Sequence, residues 1–185
     1  MFSYVVEAAP FPKIVACPAT DTIIMDICRD MKVPFAAHHT PDDVLTRFIV
    51  ALDKAQGYYD MEFQWVLRLT ADCPMLTQEL IERFLMRCDM DSDTLYTNRP
   101  LDPDGLDMEL FPAHALRKVS ELDTSPYGRE HVTPMLYSML PVERVRVSIL
   151  DPRAKISVDT SEEYLLVKRM IEGRKKYGSH ARTTN

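Results

Sequence analysis

The sequence predicts an α/β domain in which a mostly parallel sheet carries helices on both faces. Short apolar runs of strand length alternate with stretches of helical period from one end of the chain to the other. Several helical stretches open on capping residues, as at Thr40-Pro41-Asp42-Asp43 and at Thr160 followed by Glu163. A chain of 185 residues, 46% hydrophobic and 27% charged, has the makeup of one globular domain with a substantial core.

Residues 1–9 carry Phe2, Val5, Val6 and Ala9 at helical spacing and are stopped by Pro10 and Pro12. Residues 13–17 (KIVAC) and 34–37 fit strands, with a helix over 22–31 between them. The next helix starts at Thr40 and runs its stripe of Val44, Leu45, Phe48, Ile49, Leu52 and Ala55 to Gly57. Residues 65–69 (WVLRL) read as a central strand, because they are apolar without clean alternation. Thr77 caps a helix, 94–97 is a strand, and 98–105 is a loop rich in proline and turn formers. A strand over 108–111 and a helix over 113–122 follow, then a loop and short helix within 125–137. Residues 142–150 alternate with Val145, Val147 and Ile149 on one face. A short strand over 156–158 and a helix over 161–172 complete one domain over 1–173, with 174–185 as a polar tail.

Net charge is −6, and no basic run is long enough to track a polyanion, which argues against nucleic-acid binding. The four cysteines form no CxxC pair and read as free thiols of a reducing compartment. The first residues lack a basic stretch ahead of their apolar ones, and no apolar run is long enough to span a bilayer. A cytoplasmic protein is expected.

Ligands of parallel sheets bind in the loops after the strands. Asp72 follows WVLRLTA and Asp159 follows KISV, so one sheet edge can bring both carboxylates together. Paired carboxylates suit Mg²⁺, which takes a few protein oxygens and completes its shell with water and phosphate. The plainer reading of each is a turn former or helix cap. In SPYGREHVTP, Arg129 can fork onto a carboxylate or phosphate and His131 can donate or exchange a proton; a surface ion pair at a helix start is the alternative. Asp104, Asp107 and Glu109 in PDGLDMELF are poor core material and suit a polar ligand. The 5 glycines are scattered, so no glycine-rich phosphate loop is present.

The stretches KIVACPATD, TPDDVLTRF, WVLRLTADCPML, PDGLDMELF, GREHVTP and KISVDTSEEYLLV, in this order, resemble the cytidylyltransferase family of the spore-coat polysaccharide biosynthesis type. That family is related to the acylneuraminate and deoxy-octulosonate cytidylyltransferases. The resemblance implies a three-layer α/β/α, Rossmann-like nucleotide-diphospho-sugar transferase fold. It implies transfer of CMP from CTP to a sugar or sugar acid for glycan or surface-polysaccharide synthesis, with Mg²⁺ as cofactor and a homodimer as a possible assembly. Carried over by motif, Asp72 and Asp159 would hold the metal and, with Arg68, form the catalytic edge. Asp43 and Arg47 would lie near the nucleotide, and Asp107, Glu109, Arg129 and His131 would face the sugar.

The resemblance also implies an N-terminally incomplete copy. The family's opening strand, with its loop of the type QARMGSTRLPGK, has no counterpart ahead of MFSYVVEAA. Loss of that strand would expose neighbouring sheet edges and remove phosphate-binding cations, so weak or absent transferase activity is expected of this chain alone. Ala71 also stands where the family usually has glycine. Two other readings stay open. A metal-dependent glycosyltransferase would use an Asp-x-Asp pair, but Asp91-Ser92-Asp93 precedes its strand. A non-catalytic remnant or assembly partner needs no phosphate loop at all.

Overall fold

The computed structural model describes residues 1–178. Its elements run α1 (Phe2–Ala8), β1 (Val15–Pro18), α2 (Thr22–Asp30), β2 (Phe35–His38), α3 (Val44–Tyr59), β3 (Trp65–Leu69), α4 (Gln78–Leu85) and β4 (Leu95–Thr97). They continue with β5 (Met108–Pro112), α5 (Ala113–Leu122), α6 (Pro126–His131), α7 (Pro134–Met139), β6 (Val142–Arg144) and α8 (Ser161–Gly178). The expected alternation of helix and strand holds as far as β4, after which β5 follows directly and α5, α6 and α7 run in succession.

Strand faces divide the core into two layers, because successive side chains point to opposite sides of a sheet. Trp65, Leu67, Leu69, Tyr96, Met108 and Leu110 pack on one side with α1, α4 and α8. Val66, Leu95 and Phe111 pack on the other with α3, α5 and α7. The result is a three-layer α/β/α arrangement. Ile81, Phe84, Leu45, Leu116, Val119 and Leu136 are among the fully buried helical anchors of the two layers.

The strand pairing is mixed, where a mostly parallel sheet was expected. β1 pairs parallel with β2, and a second sheet has the order β3-β5-β4-β6. β4 and β6 are parallel, but β5 runs antiparallel to both β3 and β4. The cause lies in the connection 98–107, which has no crossover helix and returns the chain directly beside β4. Asn98 holds this return: its Nδ2 donates to the Leu106 carbonyl at 2.7 Å and its Oδ1 accepts from the Met108 N–H at 2.8 Å.

Other boundaries also differ from the sequence reading. Asp43, rather than Thr40, caps α3 through the Thr46 N–H. The expected strand over 142–150 keeps only Val142–Arg144. Beyond it, the N–H groups of Val147 and Ser148 donate to the buried Asp102 carboxylate. Val145 and Val147 are buried as expected, but Ile149 is 96% exposed because the chain has left the sheet before it. The strand expected over 156–158 is absent; Lys155 makes an isolated bridge to Asp104, and the Ile156 and Ser157 N–H groups donate to the Asp104 carbonyl. α8 extends past Gly173 to Gly178, and the rest of the expected polar tail, 179–185, lies outside the described residues.

β3 is not central. Among the described residues it pairs only with β5, and β1 pairs only with β2. Their other edges border one groove of about 300 Å³, lined by Ile14–Ala16 of one sheet and Trp65–Leu69 of the other. α1 supplies Phe2, Val5 and Val6 to this groove, and α3 supplies Leu52, Ala55 and Tyr59. Its base is tied by Tyr59, whose hydroxyl donates to the Lys13 carbonyl at 2.8 Å. Lys13 Nζ in turn donates to the carbonyls of Val6 and Ala9 at the end of α1.

Candidate active site

The end of β3 leads into Thr70-Ala71-Asp72, and α8 is preceded by Val158-Asp159-Thr160. These segments touch: the Val158 N–H donates to the Asp72 carbonyl at 2.9 Å. Asp72 and Asp159 therefore come to the same rim of the sheet. Asp72 is half-buried, whereas Asp159 is exposed. The Asp159 carboxylate accepts from Lys155 Nζ at 2.7 Å, and Lys155 also pairs with Glu163 at 2.6 Å. Glu163 in turn accepts from the N–H groups of Asp159 and Thr160, while Thr160 accepts from the Glu163 N–H. This reciprocal cap fixes the backbone around Asp159.

The loop 102–107 reaches the same rim. The Asp104 carbonyl accepts from the N–H groups of Ile156 and Ser157, and its carboxylate accepts from the Ser157 hydroxyl. Gly105, at φ +105°, makes that approach possible: a Cβ there would stand 2.2 Å from the Ser157 nitrogen. Asp107 follows, with Arg99 3.6 Å away. Burial pushes the Asp107 carboxyl up to about 6. Arg99 opposes this, while the charges of Asp104, Glu109 and Asp72 add to it. Asp72 and Asp104 are thus each within electrostatic reach of Asp107.

Arg68 and Glu109 stand opposite each other on β3 and β5. Arg68 donates to Glu109 Oε2 at 2.7 Å, and Oε1 accepts from Thr133 at 3.1 Å and from Tyr137 at 2.9 Å. Glu109 is 3% exposed, so its carboxylate is turned into the protein and its oxygens are occupied. Burial and the nearby Glu109 charge push the Tyr137 phenol up to about 12, which keeps it a donor.

A second cluster joins α3 to α6. Asp43 accepts from the Thr46 N–H and hydroxyl, and Arg129 lies 3.7 Å from it. Burial raises the Asp43 pKa, but the Thr46 bonds, Arg129 and His38 outweigh it and hold the carboxyl below its ordinary value. Arg129 also donates to Thr46 Oγ1 and to the Ser120 carbonyl. Arg47 is buried, donates to the Pro41 carbonyl, and leaves its Nε unpartnered. His131 is exposed, with its ring 4.4 Å from that of Tyr127. Between the clusters, Val132 has φ +69° and ψ −53°, and the Thr133 N–H donates to the His131 carbonyl. This tight γ-turn is rare and strained for a β-branched residue. It aims Thr133 inward at Glu109 while His131 stays outside.

The sequence-predicted residues therefore fall into groups. Asp72 lies near Asp107 and its loop touches the segment that carries Asp159, Arg68 and Glu109 pair across β3 and β5, and Asp43 and Arg129 pair at the α3–α6 contact. Sequence reasoning passed over Arg99, Lys155, Thr133 and Tyr137 as partners. Only Lys155 had a local signal, four residues before Asp159 and eight before Glu163. Asp91 and Asp93 line a separate hollow with Trp65, at the end of β3 opposite to Asp72. The four cysteines are unpaired. Burial pushes the thiols of Cys73 and Cys88 up to about 12 and that of Cys28 to about 11, so they are not nucleophiles. Among the described residues, no group of three or more His, Cys, Asp or Glu could hold a metal ion, and no helix is long and apolar enough to cross a membrane.

No family model matches the chain. It is similar to an uncharacterized protein of Methanocaldococcus jannaschii, MJ1063, at 30% identity over 120 residues. That match takes in 63% of this chain but only 45% of the other protein. In three dimensions the chain is similar to a cytidylyltransferase from Leptospira borgpetersenii serovar Hardjo-bovis, with a TM-score of 0.73 at 20% identity. The likeness covers 100% of this chain and 86% of that one, and it shows a shared α/β fold.

Proposed function

We propose that the chain is a cytidylyltransferase-like nucleotidyltransferase that works with Mg²⁺. Its substrates would be CTP and a sugar or sugar acid destined for glycan or surface-polysaccharide synthesis. The observation that carries this reading is the hydrogen bond from the Val158 N–H to the Asp72 carbonyl, which brings two carboxylate-bearing loops to one rim. The likeness in fold to a cytidylyltransferase supports it.

Asp72 and Asp159 would hold the metal. The donor set fits: two hard carboxylates suffice for a cation that keeps several waters and takes phosphate oxygens. Lys155 already seats a cationic group on Asp159. Bound there, Mg²⁺ would offset the negative charge that gathers as two electron-rich groups meet. In the reaction a sugar oxygen bonds to the α-phosphorus, the bond to the bridging oxygen breaks, and pyrophosphate leaves. Asp107, largely ionised above pH 6, would accept the sugar hydroxyl proton. Arg68 would hold the edge of β3 in place through Glu109. Asp43 with Arg47 would flank the nucleotide, and Arg129 with His131 would flank the sugar.

A second reading, a non-catalytic scaffold, is favoured by one observation. Arg68, Glu109, Asp43 and Arg129 all bond to partners within the chain, although the buried Arg68 Nε has none. A third, a metal-dependent glycosyltransferase, would bind a UDP-sugar instead. Titration of the chain with CTP, then with UDP-sugars, each with and without Mg²⁺, separates the three. The proposal expects Mg²⁺-dependent binding selective for CTP that Asp72→Ala and Asp159→Ala each weaken at least tenfold. Absence of any nucleotide binding overturns it in favour of the scaffold.

A further inference from the structure

One face of α8 is packed and the other is bare. Val167 and Ile171 enter the core, at 1% and 7% exposure. On the opposite side Leu165 and Leu166 are 53% and 54% exposed, and Met170 lies one turn beyond Leu166. Glu162, Leu165, Leu166, Arg169 and Met170 fall at i, i+3, i+4, i+7 and i+8, so they make a single stripe. Glu162 and Arg169 are exposed and form no ion pair among the described residues. The sequence of the helix is acidic at its start, with Glu162 and Glu163. Glu172 apart, it is basic toward its end, with Lys168, Arg169, Arg174, Lys175 and Lys176.

A helix that covers this stripe must bring apolar residues to the leucines, a cation to Glu162 and a carboxylate to Arg169. A second copy of α8 meets all three demands when it runs antiparallel. Glu162 and Arg169 are equally far from the midpoint between Leu165 and Leu166. A two-fold axis at that midpoint sets Glu162 of each copy against Arg169 of the other, with the leucines between the two ion pairs. We propose that the chain forms a two-fold dimer through this face of α8, packed antiparallel on α8 of a second copy. A lipid surface fits less well, because Glu162 and Arg169 lie along the stripe and would enter it without partners. Residues 179–185 (SHARTTN) hold a single apolar residue and cannot cover the leucines. The contact spans about three helical turns and is smaller than a standard interface, so a reversible dimer with Kd on the order of 10 µM is expected. The pairing does not depend on the proposed reaction.

Sedimentation velocity of the whole chain from about 1 µM to about 200 µM tests this, with circular dichroism to check that each variant is folded. The parent should pass from monomer to dimer across that range. Glu162→Arg and Arg169→Glu should each weaken dimerisation by about tenfold or more, because each sets like charges together on both sides of the axis. An equimolar mixture of the two variants should recover a dimer, since every facing pair is then opposite in sign. That recovery is specific to antiparallel helices in this register. A parent that stays monomeric overturns the proposal, and binding of that monomer to phosphatidylglycerol vesicles would assign the face to a lipid surface. A dimer that both variants leave intact overturns it as well, as do variants that remain monomeric when mixed.

Discussion

Arg68 and Glu109 sit directly across from each other in the β3–β5 register, joined at 2.7 Å, with the carboxylate 3% exposed and the guanidinium group only partly covered. Glu109 also receives Thr133 and Tyr137, so one buried charge links β3, β5 and the segment after α6. Removing one partner strands the other in a poorly solvated place. Arg68→Leu should therefore cost about 3 kcal/mol in chemical denaturation. The double variant Arg68→Leu/Glu109→Leu should recover much of that loss, and a double variant no more stable than the single would refute this account of the pair.

The pH dependence of stability should carry the signature of Asp107. Its folded carboxyl is raised to about 6 from an ordinary 3.8, so the folded state holds its proton more tightly than the unfolded one. Ionisation of this residue costs nothing at low pH, weighs against folding as pH rises from about 4, and reaches its full effect above about 6. Asp107→Asn should then raise stability at pH 7 by on the order of 2 kcal/mol and leave stability at pH 4 nearly unchanged. Urea denaturation at the two pH values measures the difference. Added Mg²⁺ should shrink it if the metal shares the rim.

Gly105 is the tightest point of the rim. Alanine there is opposed twice, by a positive φ and by the Ser157 and Ile156 backbone within 2.7 Å of the new Cβ. Gly105→Ala should destabilise the chain by more than about 1 kcal/mol. It should also lift Asp104 away from Ser157, shifting the amide resonances of residues 156–159 more than those around Gly57, where a Cβ meets nothing.

Asp43 tests the α3–α6 contact. As an N-cap bonded to Thr46, it should cost about 1 kcal/mol when replaced by alanine and less when replaced by asparagine. Its folded pKa is depressed, so this stability is present above about pH 4 and fades as pH falls through the folded value. Thermal melts of the parent and Asp43→Ala should converge at low pH.

Much of the architecture was legible because local signals and burial agree. The Thr77 cap, the stripe through Leu45, Leu52 and Ala55, and the Thr160–Glu163 box all occur where the residues imply them. The direction of β5 was not, since the pattern of Met108–Pro112 is the same whichever way the strand pairs, and only the connection through Asn98 decides it. β3 reads as a central strand because both faces are apolar, and both faces are indeed packed; what the pattern cannot register is which edge has a neighbour. At the rim, Asp72 does follow a strand, β3, whereas the strand expected before Asp159 is absent and the bond from Val158 to Asp72 is what brings that segment there. The roles of Thr133 and Tyr137 depend on the turn at Val132, a conformation that a valine gives no reason to expect.

The bond between Val158 and Asp72 closes a circuit through β4, β5 and the three helices after them. Closing so long a loop is entropically expensive and is rewarded only once those intervening elements are packed. The acidic rim should accordingly form among the last events of folding and open among the first under mild denaturant, while α3 and α5 remain intact. Whatever chemistry that rim performs is reserved for chains that have finished folding.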